Sequence, residues 1–268
     1  NGLQVTLTQK AWKGLDFLMG YTYAHAIDNG TSNLSSDAPQ DAWNYNAMRG
    51  NGDNDIRHRL TLALTYNLPE REAFLGLLKG WQATSIVTLQ GGKPYDPYDG
   101  SNDISGTYTY GYEHWNFYGN PHDMKASVHG IPYFEGDAAA NNPLCAAHAL
   151  DSQLREYGCY QMGSAVMTPP DPYTFGNMGR NILRSPGFYN WDTSVTKLVN
   201  ISDRVKMQLR SEFFNVLNHP NFYPSSATSR IAAGTVGTLV FTPDVYQANP
   251  VVGSGGSRHI QLGLKLIW

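Results

Sequence analysis

Arg204-Val205-Lys206-Met207-Gln208-Leu209-Arg210-Ser211-Glu212-Phe213-Phe214 is the stretch whose reading decides the fold. Val205, Met207, Leu209 and Phe213 fall on one side of an extended chain, and Arg204, Lys206, Gln208, Arg210 and Glu212 on the other. Successive side chains of a strand point to opposite faces, so this pattern predicts a strand with one apolar and one wet face. The same period of two recurs over residues 3–8, 15–23, 57–67, 81–89 and 190–199. It recurs once more at the end of the chain, where Ile260, Leu262, Leu264, Leu266 and Trp268 oppose His259, Gln261, Gly263 and Lys265. Seven strands are therefore expected.

A soluble β-sandwich also alternates. Two features point instead to a membrane barrel. The polar faces carry long charged and amide side chains, as a wet lumen would. The connections also alternate in length: 10–14 is short, 26–56 long, 69–80 moderate, 90–189 very long, 200–203 short and 216–257 long. Short turns on one side and long loops on the other are the pattern of outer-membrane barrels, and a structureless loop of about 100 residues is rare in a compact soluble domain. The expected class is all-β: an antiparallel outer-membrane β-barrel segment of about seven strands with long extracellular loops, in the outer membrane of a Gram-negative-type bacterium. If the last strand runs down to the periplasm, every long connection lies outside and the strand count is odd. Single-chain bacterial barrels have even counts, so residues 1–268 are expected to be the C-terminal portion of a barrel domain, with further strands upstream. The chain begins at Asn1 rather than Met and is already in strand pattern there, which predicts a cut inside a larger protein.

Composition agrees. Charged residues make up 15%, against about 25% in soluble proteins; there are 17 Tyr and 27 Gly. The mean hydropathy of -0.40 excludes a bundle of membrane helices, and no stretch approaches the roughly 18 apolar residues a spanning helix needs. A net charge of -3 without a basic run gives no case for nucleic acid. Cys145 and Cys159 are the two cysteines. In an exported protein they are expected to pair, and in a cytosolic one to be free thiols.

Four stretches resemble TonB-dependent receptors of the large Oar-like type, which carry an N-terminal carboxypeptidase-regulatory-like domain. They are Asp55-Ile56-Arg57-His58-Arg59-Leu60 running on to Tyr66-Asn67-Leu68-Pro69; Gly176-Asn177-Met178-Gly179-Arg180-Asn181 with Arg184-Ser185-Pro186-Gly187-Phe188; residues 210–222, from Arg210 through Asn215, Asn218 and Asn221 to Phe222; and Gly255-Gly256-Ser257-Arg258 through Trp268. The resemblance covers about two-thirds of the chain and is weakest over residues 90–171. It implies a 22-stranded barrel with an N-terminal plug and a TonB box, so the chain would be roughly the last third of the barrel, without the plug and not transport-competent alone. It also implies that the terminal aromatic, Trp268 where most relatives have Phe, is the signal read by the barrel-assembly machinery.

No GxSxG, HExxH or P-loop motif occurs. Asn51-Gly52-Asp53-Asn54-Asp55 is a candidate calcium site, because Asp, Asn and carbonyl oxygens suit a hard cation; Asp96, Asp99, Asn102 and Asp103 form a second. Both also read as turn chemistry, and neither has the EF-hand spacing. His114, His122 and His129 share one loop at spacings that match no zinc pattern. The aromatics Tyr95, Tyr98, Tyr108, Tyr110, Tyr112, Trp115, Phe117 and Tyr118 form the densest cluster. Tyr108, Tyr110, Tyr112 and Trp115 are the candidate contacts for a small-molecule ligand, since rings stack on sugars and apolar solutes; packing of the loop on itself is the structural alternative. Three readings of function follow: a receptor or transporter section, a passive porin-like or adhesive module, and a calcium-dependent hydrolase of an ester or lactone using Asp53, Asp55 or the Asp96–Asp103 group with an activated water.

Overall fold

The structure, a computed structural model, describes residues 1–30, 39–69, 79–100, 102–108, 113–222, 231, 234–242 and 255–268. All seven expected strands are present: β1 (Gly2–Trp12), β2 (Leu15–Ala24), β3 (His58–Asn67), β4 (Trp81–Gln90), β5 (Phe188–Asn200), β6 (Lys206–Phe214) and β7 (His259–Ile267). They form one sheet in sequence order, antiparallel at every step. Lengths of 9 to 13 residues match the roughly 9–11 residues with which a tilted strand crosses a bilayer.

The register turns each strand's alternation into a property of the whole sheet. Residues directly opposite share a face. Leu7 faces Met19, Met19 faces Leu62, Leu62 faces Val87 and Val87 faces Trp191, so one row across five strands is wholly apolar. At the far side Leu209 faces Leu264 and Met207 faces Leu266. On the other surface the row Asp16, Thr65, Thr84, Ser194, Glu212 and Gln261 is wholly polar, and the Thr84 and Ser194 hydroxyls hydrogen-bond across it at 2.6 Å. A one-residue slip at any step would mix the two surfaces.

The tightest turn shows how locally this is enforced. Lys13 and Gly14 both have positive φ, 50° and 86°, the geometry of a two-residue hairpin turn that matches strand twist. A Cβ on Gly14 would lie 2.5 Å from the carbonyl oxygen of Asn67, so the turn also needs glycine for the close approach of β3. At the same end Lys197 belongs to the apolar surface but carries its ammonium 5.2 Å from the centre of the Trp81 ring and donates to the Lys79 carbonyl. It thereby covers apolar surface with its stem while keeping its charge among polar atoms.

The long connections all leave the opposite end, and they hold the core. Every buried apolar residue, among them Tyr95, Trp115, Ile131, Tyr160, Met167 and Leu183, lies outside the seven strands, while Leu3, Val5, Ile86, Leu262 and Leu264 of the sheet are exposed. The connection between β4 and β5 is thus no structureless loop but a folded cap. It contains a four-stranded sheet in the order Asn116–Tyr118, Ala165–Thr168, Cys159–Met162, Tyr133–Phe134 and three short helices, α1 (Gly136–Ala140), α2 (Pro143–Ala146) and α3 (Asp151–Tyr157). Cys145 and Cys159 are joined in a disulfide that ties α2 to this sheet. Closing a loop of this size stabilises by about 3 kcal/mol in the chain-entropy account. A second cluster around Ala139, Leu154 and Val166 packs on the disulfide.

A surface that is apolar and outside the protein core belongs in lipid. Leu62→Arg, mid-strand on that surface, is expected to cost about 2–4 kcal/mol in a bilayer. Thr61→Arg, one residue away on the polar surface, is expected to cost about 0.5 kcal/mol or less. Urea unfolding in lipid vesicles measures both, and equal losses would contradict the assignment of the faces.

Candidate functional site

The densest polar cluster sits where the loop before β3 meets the cap, at the rim of the sheet. Its centre is Asp55, whose side chain is fully buried. It accepts hydrogen bonds from the Ala26 backbone at 2.9 Å, from His25 Nδ1 at 3.2 Å and from the Arg184 guanidinium, with Arg57 Nε at 3.5 Å. Arg184 also donates to the carbonyls of Asp55 and Gly92, at 2.9 and 3.0 Å. That reach exists because the two ends of the cap are zipped together: Ser185 donates to Lys93 through both its backbone and its hydroxyl. A Cβ on Gly92 would lie 1.7 Å from the Ser185 carbonyl oxygen, so only glycine permits this approach.

A second arginine completes the junction. Arg180, 2% exposed, places both terminal nitrogens 2.7 Å from Asp28 Oδ1 and one 3.5 Å from Asp53. Beside it Asn181 adopts φ 58°, a left-handed conformation that Asn tolerates. From there it exchanges reciprocal amide bonds with Asn51 at 2.8 and 2.9 Å and donates to Asp53 at 2.7 Å. Asp96 joins from the cap side, accepting from the Asn181 backbone at 3.3 Å and pairing with buried His114 at 3.0 Å.

The two acidic stretches are therefore brought together, but around guanidinium and amide groups. Asp53 and Asp55 face Arg180 and Arg184, and Asn54 is exposed. Asp99 accepts from the Trp115 indole at 3.2 Å and the Asn102 backbone at 3.1 Å. Asp103 accepts from the backbones of Thr107 and Tyr108 and so closes the loop between them. Among the described residues no group of three or more His, Cys, Asp or Glu side chains is gathered as a metal site. Of the three loop histidines, His114 is buried while His122 and His129 are exposed.

The aromatic candidates divide. Trp115 is fully buried and packs at 6.3 Å from Tyr160, so it is cap core rather than a ligand platform. Tyr108 is 79% exposed. Tyr110 and Tyr112 lie outside the described residues.

The residues that the sequence did not single out as a site are the two arginines and the asparagines. Arg180, Asn181 and Arg184 stood in one quoted motif and Asn215 and Asn221 in another. The last two perform the same joining work for the third long connection. The Asn215 backbone N–H donates to Asp192 at 2.8 Å, and its side-chain amide donates to the His219 and Gly256 carbonyls. Asn221 caps Tyr189 in both directions, at 2.7 and 2.8 Å. Asp28 and His25 carried no sequence signal. Chemically the arrangement is a lock: its carboxylates are already engaged, and it fixes the loops to the rim.

Charge state governs the lock. Burial pushes the Asp55 carboxyl up, but the Ala26, Arg184 and His25 hydrogen bonds outweigh it and hold the group below the ordinary carboxylate value of 3.8. Burial pushes His114 down, but the Asp96 carboxylate outweighs it and holds the imidazole above its ordinary 6.5. Asp55 therefore stabilises the cap above the ordinary carboxylate value, and this is lost as pH falls through its lowered pKa; His114 stabilises it below 6.5, and this is lost as pH rises through its raised pKa. Limited proteolysis of the cap against pH is expected to show greatest resistance at mildly acid pH, with the alkaline decline abolished by His114→Gln. Arg184→Met, which strands a buried carboxylate, is expected to cost about 3 kcal/mol, and Asp55→Asn added to it should recover much of that loss in denaturant titrations.

Comparison with known proteins adds one positive finding. The family model described as an outer membrane beta barrel domain matches residues 1–261. No curated protein and no solved structure matches the chain. Antiparallel strands with one apolar and one polar surface, short turns at one end and long connections at the other fit such a domain, and the chain belongs to this outer-membrane β-barrel family.

Proposed function

We propose that the chain is the C-terminal barrel section of a TonB-dependent outer-membrane receptor or transporter, not transport-competent by itself. The observation that carries this reading is the convergence of the receptor-like motifs on one rim. Asp55 of the first contacts Arg184 of the second, and Asn215 and Asn221 of the third hold Asp192 and Tyr189 of the strand that follows the second. Residues far apart in sequence but joined in space are those that a shared receptor architecture would keep.

The sheet supports the same reading. Its edges, β1 and β7, do not pair with each other among the described residues. In lipid an unpaired edge leaves backbone groups unsatisfied at several kcal/mol each, which supports a barrel completed by further strands. The polar surface would then line the lumen. A calcium-dependent hydrolase gains less: its cation would have to displace Arg180 and Arg184 from Asp53 and Asp55.

In cells producing the intact outer-membrane protein that carries this chain, formaldehyde cross-linking is expected to yield an adduct with TonB. An inserted, protease-resistant barrel that gives no adduct would leave a passive porin-like or adhesive module as the better description.

A further inference from the structure

We infer that the chain is a substrate of a periplasmic dithiol oxidase, and that the Cys145–Cys159 disulfide forms on the periplasmic side, before the barrel is complete. This needs the outer-membrane placement of the sheet and not the receptor reading. Cys145 and Cys159 are joined to each other, and both are 0% exposed. Thiol–disulfide exchange requires a thiolate to reach a sulfur of its partner. An enzyme therefore cannot act on this pair once the packing around it is finished.

The packing that buries the two sulfurs is local. They share a cluster with Ala139, Leu154 and Val166, all supplied by the stretch from residue 139 to residue 166. The Asn142 side chain caps α2 and fixes Cys145, accepting from the Leu144 and Cys145 backbones at 3.0 and 3.3 Å. Gly158, with φ 78°, ends α3 and turns the chain into the cap sheet. A Cβ there would lie 2.4 Å from the Phe134 carbonyl oxygen. Cys159 follows at once and pairs with Phe134. None of these contacts uses a residue of the seven strands.

The larger core of the cap is finished later. It includes Ile231, Val236 and Leu239 of the third long connection. The Tyr160 hydroxyl donates to the Ile231 carbonyl at 2.6 Å, across 71 positions. The Ile131 backbone donates to the Val236 carbonyl and the Leu239 backbone to the Ser127 carbonyl, both at 2.9 Å. Closing a short loop costs less entropy than closing a long one. The cysteines, 14 positions apart, therefore meet before these contacts form.

Location selects the oxidant. The long connections of an outer-membrane barrel lie outside and its short turns in the periplasm, so the finished cap faces the medium. The chain reaches that side through the periplasm, where a dithiol enzyme in its disulfide form keeps exported thiols oxidised. One cysteine thiolate attacks the enzyme disulfide, forming a mixed disulfide and releasing one enzyme thiolate. The second cysteine thiolate then attacks the mixed bond, the Cys145–Cys159 bond forms, and the enzyme leaves as a dithiol. The chain gives up two electrons and two protons, and the enzyme takes up both.

The test follows the intact outer-membrane protein in pulse-labelled cells. Samples are quenched in acid and treated with a polyethylene-glycol maleimide, which shifts every chain that carries free thiols. Cys145→Ser with Cys159→Ser marks the shift that belongs to this pair, and resistance to protease times completion of the barrel. The disulfide is expected while the barrel is still protease-sensitive. It should form at the wild-type rate in a chain lacking residues 259–268, which cannot complete the sheet. In cells without the dithiol oxidase its formation should slow at least tenfold. Free thiols that persist until the barrel resists protease, or oxidation lost together with residues 259–268, would overturn the order of events. An unchanged rate without the oxidase would overturn the enzyme as oxidant and leave dissolved oxygen in its place.

Discussion

Backbone hydrogen bonding in a medium without water is the constraint on which the rest of this structure depends. A strand in lipid must place every N–H and C=O on a neighbour, and the ladders from β1 to β7 do so at six successive interfaces. Once the ladders are set, the period of two does the sorting. The row from Leu7 to Trp191 and the row from Asp16 to Gln261 can occupy opposite surfaces only because each interface keeps the same parity. No buried apolar core is needed within the sheet, and among the described residues none is found there.

The cap solves a different problem. It stands in water and must fold as a soluble unit, so it has what the sheet lacks: a buried cluster around Tyr95, Trp115, Ile131, Tyr160 and Met167, short helices and a disulfide. Most of its elements are too short to be stable alone. Packing across them and the covalent tie between α2 and the cap sheet compensate. The strongest polar contacts are concentrated where the cap meets the rim, at Arg180 and Arg184. Burying ions is costly unless each finds partners, and the two guanidinium groups meet three aspartates from the first long connection. The junction ties the first long connection to the cap through Arg180 and Arg184, and Arg57 beside β3 adds to Asp55 from the sheet. The exposed tyrosines are outward products of the same rigidity, since the carboxylates of Asp103 and Glu113 shape the loop that carries Tyr108.

How much was legible follows from the range of each interaction. All seven strands could be read to within a few residues of their ends, because alternation is local and lipid rewards it directly. The alternation of short and long connections was equally plain. The disulfide could be anticipated from two cysteines 14 positions apart in an exported chain. The interior of residues 91–187 could not be read as a folded cap. Its strands are two to four residues long, below the length at which periodicity carries a signal. Acidic stretches 51–55 and 96–103 read as candidate calcium sites, yet the same oxygens that suit a cation suit a guanidinium, and only the fold supplies the arginines that meet Asp53 and Asp55.

By itself, then, the sequence determined the all-β class, the apolar and polar surfaces and the end of the sheet from which the loops emerge, since each depends on neighbours within a few positions along the chain. The tertiary structure alone decided that Arg184 would meet Asp55 across 129 positions, that Trp115 would be core while Tyr108 stayed at the surface, and that Gln40 would hold the first loop against the cap. Those outcomes depend on which buried charge or ring finds a partner first in three dimensions. No local pattern records that choice.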